Sequence, residues 1–413
     1  MQLRHLLVGA AMVFTAVVGN LAAAQSCNKP EVFFVNGIWN PLGYDAMGSA
    51  VELTNALTES GAPGLLNVRT IWNPGDGLAE DLAEVAISQN LLSTGLNFIN
   101  GVADQLNPLI GSTLSAALNA PNASARRQAA ITKVKQLLLA ELTSKQTPIT
   151  IIAHSQGNII VNEAVRALQN ENPDVPGVKS ISVVGIAVAA TGSSKPVYGT
   201  YRYVTSDLDK VINLLSGVPA ANFGADAAVG QTFLAGHGLV TTYLDSQLFG
   251  FDSASASRKS IRATVGERFL EAYNVAQAQF PCIQVTADQS PAKIGASVTL
   301  NVVTTPRKGD SRVPNGWVRL TSEAGSCVMR LAANGTGSCN QVFTGNPRVA
   351  TVGVEYSIDG SLWSRIPPAE IPLLSPANNY WVVYFSGGCT FSQWPPDMAY
   401  ALLEGACGVS EPM

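Results

Sequence analysis

The chain has 413 residues, with 25 Lys+Arg against 29 Asp+Glu, a formal net charge of −4 and a charged fraction of 13%. That fraction is about half the usual share, which argues against a nucleic-acid binder and against a disordered chain. With 46% hydrophobic residues and a length beyond what one core usually grows to, two globular domains are expected.

Residues 1–24 start Met-Gln-Leu-Arg-His, run apolar over 6–18 and close on Leu21-Ala22-Ala23-Ala24. A charged start, an apolar middle and a small-residue end describe a secretory signal, with a mature chain from Gln25. An uncleaved anchor is the alternative. No later stretch has the roughly 20 consecutive apolar residues of a spanning helix, so an integral membrane protein is not expected.

From there to Cys282, short apolar runs alternate with helical patterns, which is the α/β signature. Strands are expected at 31–35 (Glu-Val-Phe-Phe-Val), 66–72, 148–153, 180–188 and 201–204. Helical patterns cover 44–60, then 159–168 with Val161, Ala164, Val165 and Leu168 on one face, and finally 257–277. Strands joined by helices must run parallel, because only a crossover of a dozen or more residues connects them that way.

After Cys282 the texture changes to β runs at 283–287, 297–303, 317–321, 327–332 and 349–356, separated by Gly, Pro, Asn and Ser. That is the texture of a β-sandwich. Residues 379–385 suggest one more strand.

Six cysteines, Cys27, Cys282, Cys327, Cys339, Cys389 and Cys407, all follow the expected signal. An even count suits a disulfide-permissive compartment, although six cysteines allow about fifteen pairings. Proximity favours Cys327 with Cys339 and Cys389 with Cys407, leaving Cys27 for Cys282. No C-x-x-C spacing suggests zinc, and neither metal nor organic cofactor is expected.

The chemistry concentrates at Ala153-His154-Ser155-Gln156-Gly157-Asn158, between an expected strand and an expected helix. Small residues two before and two after a serine let strand and helix approach closely, so that the serine hydroxyl projects from a sharp turn. A hydroxyl needs a base to take its proton, and histidine titrates near neutrality. Of three histidines, His5 belongs to the signal and His154 adjoins the serine on the turn. His237, between Gly236 and Gly238, is therefore the base by elimination. The carboxylate that orients it should follow the strand at 201–204, which offers Asp207 and Asp209.

Strand, small-x-Ser-x-Gly turn and helix, followed by acid and histidine in the chain order Ser, Asp, His, resemble the α/β-hydrolase superfamily, in particular its secreted lipases and esterases. The resemblance covers about residues 30–280. It implies Asp209 as the acid, because Asp-x-Val matches the family's acid loop, and leaves Asp207 as a helix cap. It also implies an oxyanion hole from the backbone N–H groups of Gln156 and Ile38, with Trp39 on the same loop beside the substrate. Ala153 stands where the family most often has Gly, a substitution its secreted members also show.

Two further stretches bear on substrate. Residues 75–122 form an apolar, mostly helical insertion that serves either as a cap over an acyl site or as ordinary core. Residues 212–233, with Leu214, Leu215, Val218 and Phe223, offer an apolar wall. Beyond Cys282, the runs Val298-Thr299-Leu300, Gly316-Trp317-Val318-Arg319-Leu320 and Val352-Gly353-Val354-Glu355-Tyr356 resemble bacterial immunoglobulin-like domains. For that module, contact with a surface or polymer stands beside contact with the substrate and no binding role as the alternatives.

The expected organisation is a signal at 1–24, an α/β-hydrolase domain with a mostly parallel sheet at 25–282, an all-β sandwich at 283–375 and a disulfide-pinned extension at 376–413. The expected activity is cleavage of a small, lipid or polymer ester by Ser155, His237 and Asp209. A peptidase, amidase or acyltransferase on the same triad is the rival among enzymes. A surface-binding protein with an inert hydrolase domain is the rival outside them.

Overall fold

Glu-Val-Phe-Phe-Val is buried from its second residue onward because neither face of this strand meets water. Along it, Val32 and Phe34 join one apolar cluster while Phe33 and Val35 join another. That alternation is the period of two of an extended chain, and it requires helices on both sides. The computed structural model describes residues 27, 29–37, 43–62, 68–73, 123–192, 195–213, 215, 217–226, 236–307, 312–344, 349–374, 383–384 and 390–391. The expected signal, the stretch 75–122, Ile38, Trp39, Leu214, Cys389 and Cys407 lie outside the described residues.

The order is β1 (Glu31–Val35), α1 (Gly43–Glu59), β2 (Val68–Ile71), α2 (Ala123–Lys145), β3 (Ile149–His154), α3 (Gly157–Glu171), β4 (Ser182–Ile186) and β5 (Tyr201–Val204). These five strands form one parallel sheet in the order β2-β1-β3-β4-β5. There follow α4 (Lys210–Asn213), β6 (Phe223–Ala225), a π-helical turn at Leu239–Tyr243, β7 (Phe249–Asp252), β8 (Ser257–Ser260) and α5 (Ile261–Gln279). Strands β6, β7 and β8 make a small antiparallel sheet.

Helices α1 and α5 cover one face through Leu53, Leu57, Ile261, Val265 and Phe269. Helices α2 and α3 cover the other through Val134, Leu138, Val161, Val165 and Leu168. Each such side chain, fully buried, contributes roughly 2 kcal/mol. The strand order reverses between β1 and β3, and at such a reversal the carboxyl ends of neighbouring strands leave a crevice.

The helix expected over 257–277 begins at Ile261 instead. Residues Ser257–Ser260 pair with β7, and the Ser260 side chain accepts the Ala263 N–H at 3.2 Å. That serine cap ends the strand and starts the helix.

Beyond α5 come β9 (Cys282–Ala287), β10 (Ala292–Lys293), β11 (Ser297–Thr305), β12 (Trp317–Ser322), β13 (Gly325–Arg330), β14 (Thr336–Val342), β15 (Val349–Ser357), β16 (Ser364–Leu374), β17 (Val383–Tyr384) and β18 (Thr390–Phe391). A five-stranded sheet, β10-β16-β15-β12-β13, and a three-stranded sheet, β14-β11-β9, enclose one apolar cluster that includes Leu300, Val318, Phe343 and Val352. Two of the three expected disulfides, Cys27–Cys282 and Cys327–Cys339, lie within the described residues.

Candidate active site

β3 ends at His154 and α3 starts at Gly157, so Ser155 and Gln156 alone turn the chain. Ser155 has φ +53°, in the left-handed region that residues with a Cβ seldom occupy. Its N–H donates to the Ile186 carbonyl at 2.9 Å. Asn158 Nδ2 donates to the Ser155 and Ile186 carbonyls, each at 3.0 Å. The Ser155 N–H and the Ser155 and Gln156 carbonyls are thus bonded while the turn is strained. A Cβ on Gly157 would lie 2.6 Å from the Val35 carbonyl oxygen, and one on Gly37 would lie 2.5 Å from the Ser155 Cβ. Only glycine at both places lets β1, the turn and α3 meet.

Ser155 Oγ lies 2.9 Å from His237 Nε2. His237 Nδ1 lies 3.0 Å from both carboxylate oxygens of Asp209. Asp209 is fully buried, and Ser155 and His237 are 1% and 6% exposed. A carboxylate can only accept, so Nδ1 carries the ring proton and Nε2 is left to accept from the Ser155 hydroxyl. Three loops bring these side chains together, those after β3, after β5 and before the π-helical turn. Gly236 has φ +91°, and a Cβ there would collide with the Leu208 carbonyl beside Asp209.

The capping role expected of Asp207 belongs to Asp209. Asp209 Oδ1 accepts the Ile212 N–H at 3.1 Å, at the start of α4. Asp207 Oδ1 accepts the Ala225 N–H at 3.0 Å, which fastens β6 to the acid loop. The Asp209 carboxylate is placed to cap because it points into the helix that follows it, whereas Asp207 sits two residues too early.

His154, which sequence reasoning left without a partner, donates from Nε2 to the His237 carbonyl at 3.0 Å. Burial, and then the nearby His237, push it down to about 3, so the ring is neutral. Gln156, the expected oxyanion donor, has its side-chain oxygen bonded by Asn73 Nδ2 at 3.0 Å. Asn73 is in turn locked to Asn36, which accepts the Asn73 N–H at 2.8 Å and donates to its carbonyl at 2.7 Å. Sequence reasoning missed Asn73, since no motif links it to Gln156, 83 residues away. It also missed Tyr243, whose hydroxyl donates to Asp209 Oδ2 at 2.8 Å.

Of the apolar wall expected over 212–233, Leu215 and Phe223 are buried. Both pack in the same cluster as Ile212 and Val211, and the pairing of β6 with β7 sets the Phe223 ring against Gly250. Ile38, Trp39 and Leu214 lie outside the described residues. Among the described residues no group of three His, Cys, Asp or Glu side chains could hold a metal ion.

No protein-family model matches the chain, and no curated protein matches it. Solved structures similar to it include Bacteroides uniformis beta-glucuronidase 2 covalently bound to cyclophellitol-6-carboxylate aziridine, at 9% identity and a TM-score of 0.17. Bacteroides uniformis beta-glucuronidase matches at 8% identity, also with a TM-score of 0.17. In both, 62% of this chain is covered, and the chain spans 38% of the length of the solved structure. Likeness at that level carries no argument about fold or activity.

Proposed function

We propose that the chain is a secreted serine hydrolase of carboxylic esters. In this reading residues 25–282 form an α/β-hydrolase domain and the strands of 283–375 an immunoglobulin-like module. One observation carries it: a strained serine at the carboxyl end of a parallel sheet, its Oγ 2.9 Å from an imidazole nitrogen whose other nitrogen is held by a buried carboxylate. Secretion is supported by the N-terminal pattern and the disulfides. Among the described residues no helix is long and apolar enough to cross a membrane.

The chemistry follows from the geometry. Ser155 Oγ attacks the ester carbonyl carbon as its proton passes to His237 Nε2. Charge builds on the carbonyl oxygen, and the Gln156 N–H is the donor for it, pre-set because Asn73 clamps the Gln156 side chain. Collapse breaks the ester bond, and the leaving alkoxide takes the proton back from Nε2. Water then repeats the sequence on the acyl-enzyme and frees the acid. Asp209 holds the Nδ1 proton throughout and offsets the imidazolium charge.

The test is turnover of chromogenic carboxylic esters of graded chain length by wild type and Ser155→Ala. The reading expects hydrolysis by wild type and a loss of about 10⁴-fold or more in the variant, the scale on which removing a triad nucleophile acts. Equal activity in both proteins would overturn the assignment. Amide hydrolysis without ester hydrolysis would transfer the same residues to a peptidase.

A further inference from the structure

Asp209 is a carboxylate with no access to water, so every lone pair it directs at the protein needs a donor. His237 Nδ1 reaches both oxygens, and the Ile212 N–H reaches Oδ1 alone. What remains on Oδ2 is filled by the Tyr243 hydroxyl at 2.8 Å. The Tyr243 ring is itself fully buried, and its oxygen accepts the Ser206 N–H at 3.2 Å. With that acceptor position taken, the phenolic proton points at Asp209.

We infer that Tyr243 is a positioning residue of the triad, fixing the Asp209 carboxylate so that His237 stays oriented toward Ser155. The inference rests on the hydrolase reading above. Its geometric basis is the π-helical turn that starts directly after His237-Gly238. The Tyr243 N–H bonds back to the Gly238 carbonyl at 3.3 Å, so the segment that presents the imidazole also returns the phenol over the carboxylate. π-Helical turns are rare and are frequently found at functional sites.

Among the described residues, the charged and titratable groups facing the ring include Asp209 and Asp207 from the loop after β5 and His154 from β3, whose ring centroid is 6.1 Å away. From α5, Arg262 bonds the Leu244 carbonyl at 3.0 Å while Glu59 of α1 holds its other nitrogens. Burial and the two aspartates hold the phenol well above the usual tyrosine range, so it keeps the proton it donates.

Tyr243→Phe deletes one oxygen and keeps the ring. The expected result is a kcat about tenfold lower with KM changed less than about twofold, since orientation of the base matters to the reacting state and not to binding. In an Asp209→Asn background the same substitution should cost nothing further, because the two groups act as one unit. The far-downfield proton resonance of the His237 Nδ1–H, read without substrate, should move in Tyr243→Phe. Protein grown with 3-fluorotyrosine, whose more acidic hydroxyl is a stronger donor, should move it the opposite way. An unmoved resonance in both proteins, or losses that multiply in the double variant, overturns the role of Tyr243. A wild type that turns over no ester overturns the hydrolase reading instead, and the resonance still decides Tyr243.

Discussion

Two imidazoles with ring centroids 5.3 Å apart repel each other when both are charged. At His154 that repulsion adds to burial, and the ring is held at about 3 in the folded chain, against about 6.5 when unfolded. The sign of the linkage follows. Above pH about 6.5 both states are neutral and the contribution of His154 to stability is intact. As pH falls toward 3 the unfolded chain takes up a proton that the folded chain refuses, and stability is lost, on the order of 3 kcal/mol by pH about 4. We expect His154→Gln, which keeps a donor for the His237 carbonyl, to flatten that loss in urea midpoints measured from neutral pH to pH about 4. A variant as acid-sensitive as wild type contradicts the account. At this scale Ser155 and His237 were legible because a small-x-Ser-x-Gly pattern marks a turn and the chain has three histidines to choose from. Asp209 needed the family's acid pattern. Tyr243 and Asn73 were not legible, since each acts on a partner 34 or 83 residues away with no motif between.

Elements show why the turn at Ser155 is demanding. α3 starts against β1, and at Gly157 a Cβ would press on two backbone carbonyls, 2.6 Å from Val35 and 2.8 Å from Asn36. Backbone cannot step aside as a side chain can. Gly157→Ala should therefore lower stability by about 1–3 kcal/mol in denaturant unfolding and reduce ester turnover about tenfold or more even in the folded fraction. Wild-type turnover with wild-type stability would show that the close approach is not required. Strand β1 was legible to the residue, because a continuous apolar run between polar ends reads as a strand buried on both faces. β14 was not, since Thr-Gly-Ser-Cys-Asn-Gln-Val offers little apolar alternation. β16 hides behind Pro367 and Pro368. The ladder shifts between Val352 and Val354, so the two prolines fall where the pairing skips, as prolines within sheets do at bulges.

For the whole molecule, the change of texture at Cys282 was legible from composition and the Cys27–Cys282 bridge from the pairing left over by proximity, while the hydrogen bonds that cross that point were not. Cys27 and Cys282 are joined across 255 residues, which ties the segment before β1 to the start of β9. The Gly177 N–H donates to the Arg365 carbonyl at 3.2 Å, and Arg307 Nε donates to the Phe280 carbonyl at 2.9 Å. Replacing Cys27 and Cys282 together by serine should lower stability by about 3–5 kcal/mol and leave ester turnover near wild type, since neither cysteine touches the Ser155 site. An unchanged thermal midpoint would mean that the bridge constrains little. The central claim is that Ser155 is a nucleophile activated by His237, and its most direct measurement is covalent capture by a serine-directed phosphonate, followed by intact mass and peptide mapping. The account predicts one adduct per chain, on Ser155, with none on Ser155→Ala and a strongly slowed reaction on His237→Ala. No adduct on folded wild-type protein, or an adduct on another residue, would contradict it.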